Sequence, residues 1–286
     1  MKFHVTIVVF GFYLAHSSAA ELAEFPSTLF AAGDIADCGP GAALTARFLE
    51  KQSGLVLALG DLAYPDAGRE DFKNCYEPTW GRLKGRVRSV PGNHEYMTEG
   101  AKSYFAAMGE AAGPSGKGYY SFELNGWHII GLNSHIRIGD KSKQINWLQE
   151  DLSKTTAKCI LAFTHLPRFS SGEGGDNEEM EKAWLLLQGA GATLMLAGHD
   201  HHYERFAPLN VTGGRDNAKG IRSFVVGTGG AYLDKKPWWQ RRHSERLIPG
   251  QWGVLKIDLA SAGYNWAFIS VDGKILDSGS DQCRRQ

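Results

Sequence analysis

The run Gly198-His199-Asp200-His201-His202-Tyr203-Glu204-Arg205 follows directly on the apolar stretch Leu194-Met195-Leu196-Ala197, so His199 and His201 stand one residue apart at the end of an expected strand. Two imidazoles so placed can reach two different metal ions. The same kind of cluster recurs upstream as Gly33-Asp34, Gly60-Asp61-Leu62-Ala63-Tyr64, Gly92-Asn93-His94-Glu95 and Thr164-His165-Leu166-Pro167. The last three follow short apolar runs at residues 55–59, 86–90 and 159–163, each ended by a turn residue. In an open α/β sheet, ligands bind outside the carboxyl ends of strands, so polar residues just past such runs converge on one crevice. The glycine of each Gly-Asp pair permits positive φ and close backbone approach where a strand stops abruptly.

Pooled, Asp34, Asp61, Tyr64, Asn93, His165, His199 and His201 offer oxygen and nitrogen donors without a thiolate. That set suits zinc, manganese or iron rather than a cysteine-rich structural zinc site. It is too large for one tetrahedral ion. It suits two ions about 3.5–4 Å apart that share a carboxylate and clamp the attacking and leaving oxygens of a phosphoryl displacement. Asp61 is the natural bridge.

With these blocks in this order, the chain resembles the calcineurin-like metallophosphoesterases, and within them most closely the purple acid phosphatases. The resemblance runs from about Leu29 to about Arg205. It implies a four-layer αββα sandwich, an α/β fold of two mixed β-sheets flanked by helices. It also implies that Asp34, Tyr64 and His201 hold the first metal, that Asn93, His165 and His199 hold the second, and that His94 is an acid outside the metal shell. The subgroup rests on Tyr64 and Ala36. Many relatives place a histidine two residues after the first aspartate, whereas here Ala36 takes that position and Tyr64 follows Gly60-Asp61 at the spacing of a phenolate ligand. Purple acid phosphatases carry glycine at the position of Ala36, a small departure that leaves the coordination logic intact. A phenolate favours Fe(III), so the expected cofactors are two divalent or trivalent ions, iron with zinc, manganese or a second iron.

The 286 residues are 43% hydrophobic, enough for one substantial core, and the net charge is zero. Nothing in that balance points to nucleic acid or an acidic membrane surface. Residues 1–20 read as a secretory signal: Lys2, an apolar core over 5–14, and Ser18-Ala19-Ala20 before Glu21. The expected organisation is therefore that signal followed by a single domain over 21–286, secreted or periplasmic, without a membrane anchor. Export permits disulfides, and Cys38, Cys75, Cys159 and Cys283 allow three complete pairings. Cys38 and Cys75 each follow a ligand segment, which favours their pairing. Cys159 either pairs with Cys283 or is a buried small hydrophobe inside its strand.

Helical patterns are read at residues 42–52, 103–108, 143–154 and 178–188, alternating with strands. After Arg205 strand-like runs at 221–226, 252–258, 264–271 and 274–276 are expected to form the second sheet. Arg168 is a candidate fork for a substrate phosphate, or else a surface arginine on a loop. His135 and His202 are candidates for the site mouth or for supporting roles, whereas His128 reads as a structural histidine within a strand and His243 as a surface one. Trp238 and Trp239, beside Arg241 and Arg242, line a substrate groove or pack the second sheet. Three functions follow from different classes: a phosphomonoesterase acting on phosphorylated small molecules, a phosphodiesterase or nucleotidase with the same metals, and a non-catalytic metal-binding protein.

Overall fold

The computed structural model describes residues 27–235 and 239–284, so the expected signal at 1–20 and Trp238 lie outside the described residues. In chain order the strands are β1 (Thr28–Ala32), β2 (Leu55–Ala58), β3 (Val87–Ser89), β4 (Tyr120–Leu124), β5 (Trp127–Gly131), β6 (Cys159–Phe163), β7 (Leu194–Ala197), β8 (Tyr203–Phe206), β9 (Arg222–Val226), β10 (Ser244–Ile248), β11 (Gly253–Ala260), β12 (Gly263–Ser270) and β13 (Ile275–Gln282). One sheet has the order β13-β12-β11-β1-β2-β3 and the other β10-β8-β9-β7-β6-β5-β4. Both are mixed. β1, β2 and β3 run parallel in the first, and β5, β6, β7 and β9 run parallel in the second, with antiparallel strands outside them.

The continuous apolar runs are explained by burial on both faces, the usual condition of parallel strands. Side chains alternate across a strand, and the second sheet divides its residues accordingly. Cys159, Leu161 and Phe163 of β6 join the core between the sheets, while Ile160 and Ala162 face an outer core. That outer core is closed by two helices, Lys143–Lys154 and Glu181–Gly189, the first capped by Ser142 Oγ accepting from the Ile145 amide and burying Ile145, Leu148 and Leu152. Between the sheets Tyr203 stacks on Phe268 at 4.1 Å, Trp127 meets Tyr264 edge-on, and the Trp127 indole donates to Ala260 O at 2.8 Å.

The late strands do not form a sheet of their own. β9 inserts beside β7, whereas β11 to β13 extend the first sheet through β1, with Leu29 opposite Ile257. Apolar alternation specifies a buried face but not which neighbour covers it, so the expected grouping of these strands is corrected by the pairing. Both expected disulfides form. Cys38–Cys75 ties the loop after β1 to the helical turn at Phe72–Tyr76, and Cys159–Cys283 ties the first residue of β6 to the residue after β13. The second closes a separation of 124 residues, for which chain entropy gives about 5 kcal/mol of stabilisation.

His128 on β5 joins Glu123 and Asp151 through its two ring nitrogens at 2.6 and 2.7 Å, which is the structural role read from its position. Burial works against its cation, but Asp151 and Glu123 outweigh that and raise it above the ordinary histidine value. Burial likewise opposes the Asp151 carboxylate, which His128 and Ser121 hold lowered. The histidine's contribution is complete below about pH 6.5 and is lost as pH rises through its raised folded value; the aspartate's is present above about pH 4 and is lost in acid. His128→Gln should therefore lower Tm more at pH 5.5 than at pH 9. A thermal-melt series with equal losses at both pH values would contradict the assignment.

Candidate metal centre

Every candidate ligand lies just past the carboxyl end of a parallel strand: Asp34 after β1, Asp61 and Tyr64 after β2, Asn93 after β3, His165 after β6, and His199 and His201 after β7. The stops are abrupt. Asp34, Asp61 and His199 hold φ of 59°, 51° and 74°, left-handed values at which residues other than glycine are uncommon and which cluster at functional sites. Gly92 is required by close approach, because a Cβ there would stand 2.2 Å from Asp61 Oδ1.

The donors form two nests. In the first, Tyr64 Oη lies 3.2 Å from Asp34 Oδ1 and 3.2 Å from His201 Nε2, which is itself 3.2 Å from Asp34 Oδ1. In the second, Asn93 Oδ1 lies 3.1 Å from both His165 Nε2 and His199 Nδ1. Asp61 Oδ2 stands between them, 3.3 Å from Tyr64 Oη and 3.3 Å from His165 Nε2. All seven residues expected to converge do so.

The donor chemistry fits bound cations. His165 Nδ1–H donates to Leu59 O at 2.8 Å and His201 Nδ1–H to Tyr232 O at 2.6 Å. With Nδ1 committed, each Nε2 presents a lone pair to oxygens that also carry lone pairs, and only a cation or a proton reconciles such neighbours. The electrostatics agree. Burial disfavours the His165 cation, but Asp61 outweighs it and pushes His165 up to about 10. Burial and then Asp34 act the same way on His201, which rises to about 9. Asp61, despite burial, is held well below the usual carboxylate range by His165 and His94.

His94 stands outside both nests. Its Nδ1 bonds Pro65 O, its ring lies 4.3 Å from that of Tyr64, and its Nε2 is 3.8 Å from Asp61 Oδ2. The other expected contacts divide. His135 stands beside the second nest, its ring 5.6 Å from that of His165. His202 is fully buried and turned away from the donors: Nε2 meets Glu204 at 3.4 Å and Nδ1 lies 3.8 Å from Asp234, whose carboxylate accepts from the His201 amide at 2.8 Å. It therefore steadies the backbone of a ligand loop. Arg168 is corrected more plainly. Its guanidinium is committed to Glu181 and to Val211 O, both at 3.2 Å, and stacks on Phe169 of the outer core.

Two contributors went unassigned in the sequence. Glu95, fully buried, accepts from the amides of Asp61, Leu62 and Gly92 at 2.9, 2.7 and 2.6 Å and so fixes the β2 and β3 loops together. The other is the loop Gly227-Thr228-Gly229-Gly230-Ala231-Tyr232-Leu233-Asp234 after β9. Its Gly229 and Ala231 amides donate to Gly33 O and Asp34 O, and its Tyr232 ring, exposed, lies 4.2 Å from that of His201. A glycine-rich run directly after an apolar strand was the signal available for it.

Among known proteins, the family model described as calcineurin-like phosphoesterase matches residues 21–203. Purple acid phosphatase 18 of Arabidopsis thaliana is 28% identical over 247 residues, which cover 76% of this chain and 54% of that protein. The chain thus spans about half the length of that curated relative. Purple acid phosphatase PPD1 of yellow lupin superposes with a TM-score of 0.79 at 15% identity, over 90% of this chain and 54% of that one. GAP50 of Plasmodium, described as the anchor in the inner membrane complex, superposes with a TM-score of 0.70 at 19% identity, over 91% and 89%. The two-sheet fold, the strand-end donors and the family match over 21–203 together establish that the chain belongs to the calcineurin-like phosphoesterase family.

Proposed function

We propose that the chain is an exported metal-dependent phosphatase acting on monoesters of phosphorylated small molecules. The observation that carries the reading is the meeting of two donor nests at Asp61 Oδ2. In it Asp34, Tyr64 and His201 would hold one ion, Asn93, His165 and His199 would hold the other, and Asp61 would be shared between them. When bound, such a pair supplies an acidified water as nucleophile and positive charge for the phosphoryl oxygens. The similarity to plant purple acid phosphatases and the phenolic Tyr64 support iron in the first position. The two disulfides support export, because such bonds persist in oxidising compartments, and the signal-like pattern of residues 1–20 is the support for cleavage there, with residues 21–286 as a single domain.

The chain's own part in the proton chemistry falls to His94. Its Nδ1–H is donated to Pro65 O, which fixes the ring and leaves Nε2 at the edge of the donor cluster. From there a protonated Nε2 hands its proton to the leaving alkoxide. Glu95 keeps Asp61 in place through three amides, and the Tyr232 carbonyl keeps His201 presenting Nε2. A non-catalytic role, such as the anchoring described for GAP50, does not account for a complete donor set with His94 beside it.

Metal-replete protein should carry two ions per chain by elemental analysis and should turn over p-nitrophenyl phosphate faster than bis(p-nitrophenyl) phosphate. At most one ion would overturn the dinuclear reading, and comparable diester turnover would favour a phosphodiesterase. His94→Ala should lower kcat by roughly 10²-fold or more with both ions retained; loss of an ion would make His94 a ligand instead. Iron-loaded protein should show a visible phenolate-to-iron band that disappears in Tyr64→Phe. Iron-loaded wild type without that band would place Tyr64 off the metal.

A further inference from the structure

Beside the second nest opens a groove of about 940 Å³, lined by residues 134–140, by Leu166, and by Glu178, Glu179, Glu181, Lys182 and Leu185 of the outer helical layer. Two of its lining residues adjoin the donor cluster. His135 and Leu166 both line it, the His135 ring lies 5.6 Å from that of His165, and Leu166 is the next residue in the chain after His165. At this neck His135 Nε2 is buried with no hydrogen-bond partner among the described residues. A buried polar nitrogen left unmatched is unfavourable, and a ligand atom at the neck would match it.

Beyond the neck the lining changes character. Ile136, Ile138, Leu166 and Leu185 supply apolar surface, and Leu185 is 49% exposed. The charged residues are Asp140, Glu178, Glu179 and Glu181 against Arg137 and Lys182. Lys182 pairs with Asp140, and Glu181 is answered by Arg168 from outside the groove. Glu178 and Glu179 have no ion-pair partner among the described residues and stand against the single cation of Arg137, so the rim keeps a surplus of one negative charge.

We infer that this groove receives the organic half of the phosphoester and selects monoesters of apolar alcohols, neutral or cationic, over substrates bearing further phosphates. The inference rests on the phosphatase reading of the adjoining site and specifies its substrate class. Apolar surface favours an aryl or alkyl group because burying both removes hydrocarbon from water. The carboxylates repel any second anion brought into the same groove. His135 Nε2 gives the group one polar contact where it leaves the phosphorus, which sets its direction into the groove.

The test compares 2-naphthyl phosphate with ATP in metal-replete protein, reading kcat/KM for each. Wild type should favour the naphthyl ester by at least tenfold, mainly through KM. Glu178→Lys combined with Glu179→Lys, on the surface and outside the donor cluster, should reduce that preference about tenfold at low salt, with the difference shrinking at high salt. His135→Leu should raise KM for the naphthyl ester several-fold with kcat and metal content kept. A wild-type enzyme that hydrolyses both substrates without preference, or a preference untouched by the double reversal, would overturn the groove assignment while leaving the phosphatase reading intact. A fall in kcat with KM unchanged in His135→Leu would remove His135 from the groove's neck. Wild type inert on both esters and on p-nitrophenyl phosphate would remove the phosphatase reading and this inference with it.

Discussion

The Asp61 carboxylate is the element on which the rest of the site depends. One of its oxygens, Oδ2, faces both donor nests, while the other accepts from the His94 amide at 2.9 Å and so fixes the start of the β3 loop. Neither arrangement survives without the left-handed backbone at Asp61, and that backbone is held because its amide donates to Glu95. An aspartate in this region is tolerable but unfavourable. Here the neighbouring loops make it the only conformation available. The same device recurs at Asp34, whose Oδ2 accepts from the His199 amide at 2.9 Å across a separation of 165 residues. Each of these two carboxylates thus faces the donor cluster with one oxygen and ties a distant loop with the other.

Such precision at loop positions needs rigid strands behind them. The parallel strands β1 to β3, together with β5, β6, β7 and β9, end on one rim, and the aromatic contacts across the interface fix their relative height. The disulfides act at the two ends of this assembly. Cys38–Cys75 holds the loop that begins at Asp34 to the segment that follows Tyr64, and Cys159–Cys283 joins the sheets at the foot of β6, the strand that carries His165. A shift of either sheet would pull each nest apart, since Asp34, Tyr64 and Asn93 come from the first sheet and His165, His199 and His201 from the second.

The sequence made the donors legible because each occupies the same local context, an apolar run, a glycine or turn residue, and a polar side chain. That context survives in one dimension. What it could not convey was assembly. The runs at 252–258 and 264–271 read correctly as strands, yet their attachment to β1 depends on a register between Leu29 and Ile257 that no local pattern encodes. Glu95 was visible in the same block as Asn93 and His94, but a glutamate that accepts three amides from two loops looks in sequence like any solvent-facing acid. Arg168 failed for the opposite reason. Its nearness to His165 in the chain suggested a phosphate contact, whereas the backbone past Pro167 carries it onto Phe169 and Glu181.

The charge state of the site before any ion binds follows from the same geometry. Asp34, Asp61 and Glu95 are almost wholly excluded from solvent, and buried carboxylates persist only when answered by positive charge or by hydrogen bonds. Glu95 has three amides, yet burial and then Asp61 still push it up to about 7, so the negative charge is not fully answered. His165 and His201, raised to about 10 and about 9 with burial overcome by Asp61 and Asp34, supply the protons that answer it. Those protons occupy the Nε2 lone pairs that a metal requires. Uptake of cations by this cluster would therefore release protons, and the carboxylates that are costly to bury are the same groups that would attract the ions.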